Sequence, residues 1–464
     1  MSAAGGADPL WTSDEIAAAT GGTASAPFVV SGVAFDSREV GPGDLFIALK
    51  GEATDGHNFL DKAYGAGAAG AIVSQPIDQP HVLVADTTEA LNALGRAARA
   101  RMKGKVIGVT GSVGKTSTKE ALFAALERGR RGRVHRSVKS YNNHVGVPLS
   151  LARMPRDAAF GVFEMGMNHA GELAVLTRLV RPHVAIVTAI APAHIEFFGT
   201  EEAIARAKAE IFEGLEPGGF AIVPFDSPHR DLLVKAAEAE GARVVTFGLK
   251  QGADVRAAEA VPATSGGTLV AAHLPGVELC YTVAVPGDHN VANSLSIIAA
   301  VEAVGGDLAA AGLALAEMPG LAGRGARHEI ALEGGTALLI DESYNANPLS
   351  MAATLRQLGR EKAQRRIAVL GAMKELGDQG ARLHAGLAEP IEQAGVDCAI
   401  LVGAEMNPLE HRLEGKLALA HVADADEAIA ALRKTMRAGD AILVKGSNSV
   451  GLSRLVAALA GGER

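Results

Sequence analysis

The chain has 464 residues, 48% apolar and 21% charged, with a formal net charge of −8. That length suits about three domains, each able to bury a core. The acidic balance argues against a protein that grips phosphate backbones, and 4% aromatics leaves few stacking platforms for single-stranded nucleic acid. Two cysteines, Cys280 and Cys398, are too few for a disulfide framework; both fall in apolar runs and are expected as buried, reduced thiols. The start, MSAAGGADPLWTSDEI, lacks a basic stretch leading into an apolar one, so no signal peptide is expected. No apolar, uncharged run reaches the roughly 18 residues a membrane span needs. A soluble, cytoplasmic protein is expected.

In chain order, residues 1–98 hold short strand-like runs, FVVSGVAF and DLFIAL, among Ala/Gly-rich helices. The helical stretch EALNALGRAARARM leads into a second unit, 99–319. There KVIGVTG, GVFEMG, VAIVTAI, AIVPF and VVTFG each read as a strand buried on both faces, as parallel strands are. Asp254 to Val285 alternates more and predicts a small antiparallel sheet. Pro319-Gly320 and the Gly/Arg run to Arg327 read as a linker. In residues 320–464, ALLID, IAVLGAM, AILVG and AILVKGS alternate with helices, predicting a Rossmann-like unit. The fold class is α/β in three domains, the central one with a mostly parallel sheet.

The strongest local signal is Gly108-Val-Thr-Gly-Ser-Val-Gly-Lys-Thr116, between an apolar strand and the helix KTSTKEALFAAL. A glycine-rich turn there aims backbone N–H groups at phosphate. Thr110, Gly111, Ser112, Val113, Gly114 and Ser117 are expected along ATP. Lys115 would reach the terminal phosphates, and Thr116 would help hold Mg²⁺. The strict pattern wants glycine where Val109 stands, so the loop is a variant. A phosphate loop names a nucleotide, not a reaction.

Further candidates sit at strand ends. Glu164 closes GVFEMG, His194 follows VAIVTAI, and Lys208 lies in the helix AIARAKAEIFEGL. Taken singly, each has a bland reading: a hydrogen-bonded structural histidine, a solvated lysine.

The ordered segments TGSVGKTST, YNNHVGVP, EMG, AHIE, AKAEIF and PGDHNVANSLSIIAA resemble the central domain of the Mur ligases. IDESYNANPLSM, GAMKELGDQGARLHAGL and LVKGSNSVGL resemble the C-terminal domain, and FDSREVGPGDLFIALKGEATDGHNF the N-terminal uridine-binding domain. The Tyr344-to-Pro348 run is similar to the member that adds D-alanyl-D-alanine. The resemblance implies ATP-dependent amide-bond formation between D-alanyl-D-alanine and a UDP-N-acetylmuramoyl-tripeptide, through an acyl phosphate, in cell-wall synthesis. It implies two Mg²⁺ ions, one on Glu164 and a second on His194 and a carbamylated Lys208. Asn290 and Asn293 would meet the base of ATP. Arg324 and Asp341 or Glu342 would approach ATP from the third domain. Ser37 and Arg38 would lie at the uridine diphosphate, and Asn142 and Asn143 at the muramoyl substrate. The partners implied are small molecules, with no nucleic acid and no membrane, and the enzyme a monomer.

The sequence departs from that family at Glu342, where a second Asp is usual, at Ala189, where Asn is usual, and at Ala372, where Asp is usual. None of these removes an expected metal ligand. The tripeptide-forming sister enzyme and a folylpolyglutamate synthase are the nearest alternatives. A phosphate-loop switch or kinase would leave YNNHVGVP and GDHNVAN unexplained, and a silent scaffold would not keep Lys115, Glu164, His194 and Lys208 together.

Overall fold

The structure is a computed structural model that describes residues 9–51, 54–264 and 266–461. Residues 1–8, part of the segment read for a signal peptide, and Glu52 and Ala53 of the N-terminal motif lie outside the described residues.

Among the described residues three large sheets follow one another along the chain, beside a small two-stranded pairing of Trp11–Thr12 with Val29–Val30. The first has five strands and contains Gly32–Ala34, Asp44–Ile47 and Gly70–Val73, paired in parallel. The helix Thr87–Arg101 then runs on toward the second sheet, started by Asp86, whose carboxylate accepts from Thr88 N–H and Glu89 N–H. Near its end, buried Arg99 donates to the carbonyls of Val180 (2.7 Å) and Arg181 (2.6 Å), which close the helix Glu172–Val180. A guanidinium at a helix C-terminus satisfies carbonyls that have no partner within their own helix.

The second sheet has nine strands. From the inside out to one edge it is parallel: Arg243–Gly248, Phe220–Pro224, Val184–Val187, Lys105–Thr110, Phe160–Glu164 and the edge strand Val134–Arg136 lie side by side. All five strands read from the sequence are among them. Helices cover both faces, which is why these strands are continuously apolar. The predicted small sheet is not separate: Val255–Pro262 pairs in parallel with Arg243–Gly248, and Thr268–Leu274 and Val277–Val283 extend the same sheet antiparallel. Cys280 lies on that outer hairpin and is exposed, against expectation; an edge hairpin has one face in solvent. Cys398 is buried as expected.

The third sheet has six strands, in which Gly335–Glu342, Asp440–Lys445, Arg365–Gly371, Cys398–Val402 and Ala418–Val422 are parallel. The expected linker is shorter than the sequence suggested. Ala326–Leu332 is already a strand, antiparallel to Gly335–Glu342 and turned by Gly334 in a left-handed conformation. No helix among the described residues is long and apolar enough to cross a membrane.

Candidate active site

The parallel register sets three strand ends at one level. Glu164 pairs with Val109, and Val187 pairs with Thr110, so the phosphate loop leaves the sheet between the ends of its two neighbours. That is where open α/β sheets bind ligands. Gly111 has φ 147°, and a Cβ there would come within 1.9 Å of Thr188 Oγ1. The loop is tied down by Thr188, whose hydroxyl reaches the carbonyls of Thr110 (3.2 Å) and Val113 (2.5 Å). It is tied again by Ser112, which donates to the Ala191 carbonyl and accepts from Ala191 N–H, both at 3.0 Å. Ala189, at the departure from the family pattern, still serves through its backbone: its carbonyl accepts from Ser112 N–H at 2.8 Å.

Lys115 and Thr116 open the helix Lys115–Gly129, with Gly114 before them in the left-handed region. Lys115 Nζ donates to the Gly111 carbonyl at 2.7 Å, curled over its own loop. Burial pushes its pKa down, opposed by the charge of Glu164. Thr116 donates to Glu164 Oε2 at 2.8 Å, and Asn142 Nδ2 donates to Oε1 at 2.8 Å. Behind them lies Lys119, fully buried, donating to the Lys139 carbonyl at 2.6 Å and standing 3.9 Å from Glu164. The sequence reading missed Lys119, because a lysine four positions into the exit helix looks like an ordinary solvated one.

Lys208 is 2% exposed on the helix Glu201–Ala209. Burial, and then the nearby charge of Lys115, hold its pKa well below the usual lysine value; among the described residues no carboxylate or hydrogen bond raises it back. His194 precedes the turn Ile195–Phe198 in a left-handed conformation, φ 59°. Its Nδ1 faces the Glu375 carboxylate from the C-terminal domain. Burial lowers its pKa, Glu375 opposes, and Lys115 and Lys208 add to the depression. Lys115, Lys208 and His194 therefore share one neighbourhood.

Asn290 and Asn293 face a cavity beside the exit helix, lined also by Ser117, Thr118, Leu321 and Arg324. Asn293 packs against Gly114, where a Cβ would meet its amide at 3.0 Å. The cavity thus runs from the phosphate loop to the start of the third domain. Arg324 closes it, with its guanidinium 4.1 Å from the centre of the Tyr344 ring. Asp341 is buried and accepts from Gly323 N–H (2.6 Å), Ser343 N–H (3.1 Å) and Ser343 hydroxyl (2.6 Å). Its carboxylate is largely used in fixing the Arg324 turn. Glu342 lies instead 3.4 Å from buried Lys445 and lines a small cavity with His289 and Asn290.

Ser37 is buried, while Arg38 is exposed and held by Asp36 through Nε (2.9 Å) and Nη2 (2.6 Å). Next to them Glu39 reaches across to the central domain, pairing with Lys139 and accepting from Tyr141 at 2.7 Å. Asn143 uses its side chain to start the helix Gly146–Ala152, accepting from Gly146 N–H at 2.9 Å. Of the two expected asparagines, only Asn142 points at Glu164. Ala372 is buried, its backbone bonding Val402 and Ser447, and offers no acid.

The donors suit Mg²⁺. Thr116 and Glu164 put hydroxyl and carboxylate oxygens together, and no cluster of three or more His, Cys, Asp or Glu forms a closed cage among the described residues. Mg²⁺ typically takes one or two protein oxygens and completes its shell with water and phosphate.

Comparison with known proteins decides the family. The Mur ligase family catalytic domain matches residues 29–106, the Mur ligase middle domain 109–301, and the Mur ligase glutamate ligase domain 326–448. The chain is 36% identical over 441 residues to the UDP-N-acetylmuramoyl-tripeptide–D-alanyl-D-alanine ligase of a Synechocystis species, covering 93% of this chain and 92% of that one. It is 35% identical over 439 residues to the enzyme of that name from Escherichia coli, covering 94% of each. The chain belongs to the Mur ligase family. Among solved structures it is similar to MurF from Acinetobacter baumannii, with a TM-score of 0.85 at 32% identity over 98% of this chain and 99% of that one. It is also similar to MurF ligase from Thermotoga maritima in complex with ADP, with a TM-score of 0.78 at 26% identity over 93% and 97%. The three-domain α/β organisation is thus that of a Mur ligase, and the cavity described above is lined by residues matched to its middle domain and by the segment that leads on to the C-terminal match.

Proposed function

We propose that this Mur ligase joins D-alanyl-D-alanine to a UDP-N-acetylmuramoyl-tripeptide with ATP, releasing ADP and phosphate, as a cytoplasmic monomer in peptidoglycan synthesis. The observation that carries the reading is the meeting of Lys115, Lys208, Thr116 and Glu164 at the C-terminal ends of the parallel strands. A buried lysine such as Lys208, with no compensating charge beside it among the described residues, is costly unless it is neutral or a polyanion supplies that charge.

A carboxylate is a poor acylating agent until ATP phosphorylates it. In that step a carboxylate oxygen forms a bond to the γ-phosphorus and ADP leaves. The amine then attacks the acyl carbon, phosphate departs, and the ammonium proton is lost to solvent or a base. The protein's part is to position the reactants and offset charge. The loop amides of residues 110–117 cradle the phosphates, and Lys115 faces the charge that develops on the transferred group. Thr116 and Glu164 would hold one Mg²⁺, and His194 with Lys208 a second; the chemistry such ions would supply there is neutralisation of phosphate charge. Asn290 and Asn293 hold the base, and Arg324 closes over the nucleotide. Asp341 acts first by fixing the Arg324 turn and keeps one acceptor position toward the ribose. Ser37 and Arg38 bind the uridine diphosphate, and Asn142 and Asn143 border the muramoyl peptide.

Lys208 can serve a metal only with an oxygen. Its neutral amine attacks CO₂, a C–N bond forms, a C=O electron pair moves to oxygen, and a proton is lost, leaving a carbamate. Burial without a partner favours that neutral amine.

Phosphate release from ATP, measured across UDP-muramoyl peptides and amine acceptors, tests the assignment. Turnover should require the tripeptide and D-alanyl-D-alanine together. Equal activity with a single amino acid or with glutamate would contradict it, as would AMP and pyrophosphate as products.

A further inference from the structure

Residues 139–143 form a loop that touches all three domains. From the N-terminal domain, Glu39 pairs with Lys139 and accepts from the Tyr141 hydroxyl. Within the central domain, buried Lys119 donates to the Lys139 carbonyl and Asn142 donates to Glu164. From the C-terminal domain, the Tyr344 hydroxyl donates to Ser140 Oγ at 2.9 Å. Lys139 holds φ at 52°, a conformation that a non-glycine residue keeps only when its surroundings enforce it.

The other contact of Tyr344 is with Arg324, whose guanidinium lies 4.1 Å from the ring centre. A cation over an aromatic face is attracted by the ring quadrupole, and the flat ring also limits where the guanidinium can sit. The backbone fixes both partners to one another, since Tyr344 N–H donates to the Gly323 carbonyl at 3.2 Å. One side chain therefore has its ring against the arginine that closes the nucleotide cavity. Its hydroxyl is on the loop that delivers Asn142 to Glu164. A tyrosine that merely glued two domains would need neither placement. Tyr344 is 37% exposed, so its burial is not what holds it there.

We propose that Tyr344 is a positioning residue that couples placement of Arg324 to placement of the 139–143 loop, so that the third domain seats both sides of the reaction together. This rests on the ligase reading above. The hydroxyl serves the loop and Glu164; the ring serves Arg324 and ATP. The two functions can be separated by substitution.

The test is a double-mutant cycle with Tyr344→Phe and Ser140→Ala, plus Tyr344→Ala, each checked for an unchanged Tm. Losing one interdomain hydrogen bond should lower kcat roughly three- to tenfold. Tyr344→Phe and Ser140→Ala should each do so with the ATP KM unchanged, and the double variant should be no worse than the worse single one. Tyr344→Ala should in addition raise the ATP KM, because Arg324 loses its platform. Multiplicative losses in the double variant, or wild-type kinetics in Tyr344→Phe, would overturn the coupling. Should Tyr344→Phe fold poorly, Ser140→Ala must still reproduce the kcat loss alone. A wild-type enzyme that ligates while the cycle is additive sinks this proposal only; a wild-type enzyme that does not ligate sinks the ligase reading.

Discussion

Lys208 is where the account is most exposed to a single substitution. If a carbamate is needed, Lys208→Arg brings a positive charge but offers no oxygen and should be as inactive as Lys208→Ala. Formate or acetate should partly restore the alanine variant by entering the vacated space. An active arginine variant would remove the carbamate from the mechanism. On the proposed reading, in which the Lys115 charge faces the transition state, Lys115→Ala should cost roughly a hundredfold or more in kcat. Asn293→Ala should mainly raise the ATP KM, since a contact with the base binds ground and transition states alike. Wild-type kinetics in either variant would overturn its assignment. Residue roles differed in how far the sequence exposed them. Lys115 and Thr116 stand out because Gly-Lys-Thr at a strand–helix junction has few other uses. Lys119, Glu375 and Tyr344 were hidden because their partners, Lys139, His194 and Ser140, are brought to them by tertiary structure alone. Asp341 showed the limit from the other side. The motif marked it as important, and only the structure revealed that Gly323 and Ser343 occupy most of its carboxylate.

Among the elements, the parallel strands were the most legible, because strands covered on both faces are apolar throughout and need no alternation to be recognised. The antiparallel extension misled, since its alternating pattern describes its half-exposed face but not which sheet it joins. Ala326–Leu332 was hidden by the glycines before it, which read as linker although a strand follows at once. The run Asn347-Pro348 carries a structural duty as well as a family likeness. Asn347 accepts from Ser350 N–H while Ser350 hydroxyl accepts from Asn347 N–H, a reciprocal cap, and Pro348 takes the first helical position. A histidine at the entry to the strand Val184–Val187 gives a pH-dependent stability. His183 accepts from Val106 N–H at 3.0 Å, and burial depresses its pKa to about 4. The folded pKa lies below the unfolded value of about 6.5, so the unfolded chain binds more protons between those values. The stability this group contributes is therefore present above pH ~6.5 and lost as pH falls toward ~4. The drop in Tm between pH 7 and pH 5 should be smaller in His183→Asn than in the wild type; an equal drop would contradict this.

The whole molecule is three α/β units, and side chains of the first and third meet central-domain loops beside the phosphate loop. Glu39 of the first domain and Tyr344 of the third both meet the 139–143 loop beside Glu164, and Glu375 of the third meets His194. A further bridge, Arg360 to Asp288 at 2.6 Å, is exposed and should add little to stability. Such convergence suits a reaction whose intermediate is destroyed by water, because the site is complete only when the domains meet. No Gly-x-Ser-x-Gly elbow occurs in the sequence, and Cys280 and Cys398 lie on strands away from the phosphate loop. Direct phosphorylation of the substrate carboxylate is thus the central claim, and oxygen transfer measures it. The tripeptide is labelled with ¹⁸O in its terminal carboxylate and ligated to D-alanyl-D-alanine with ATP, and the phosphate and peptide products are analysed by mass spectrometry. The account predicts one labelled oxygen in the released phosphate and the other retained in the new amide. Unlabelled phosphate alongside ligated product, or label in AMP, would contradict it.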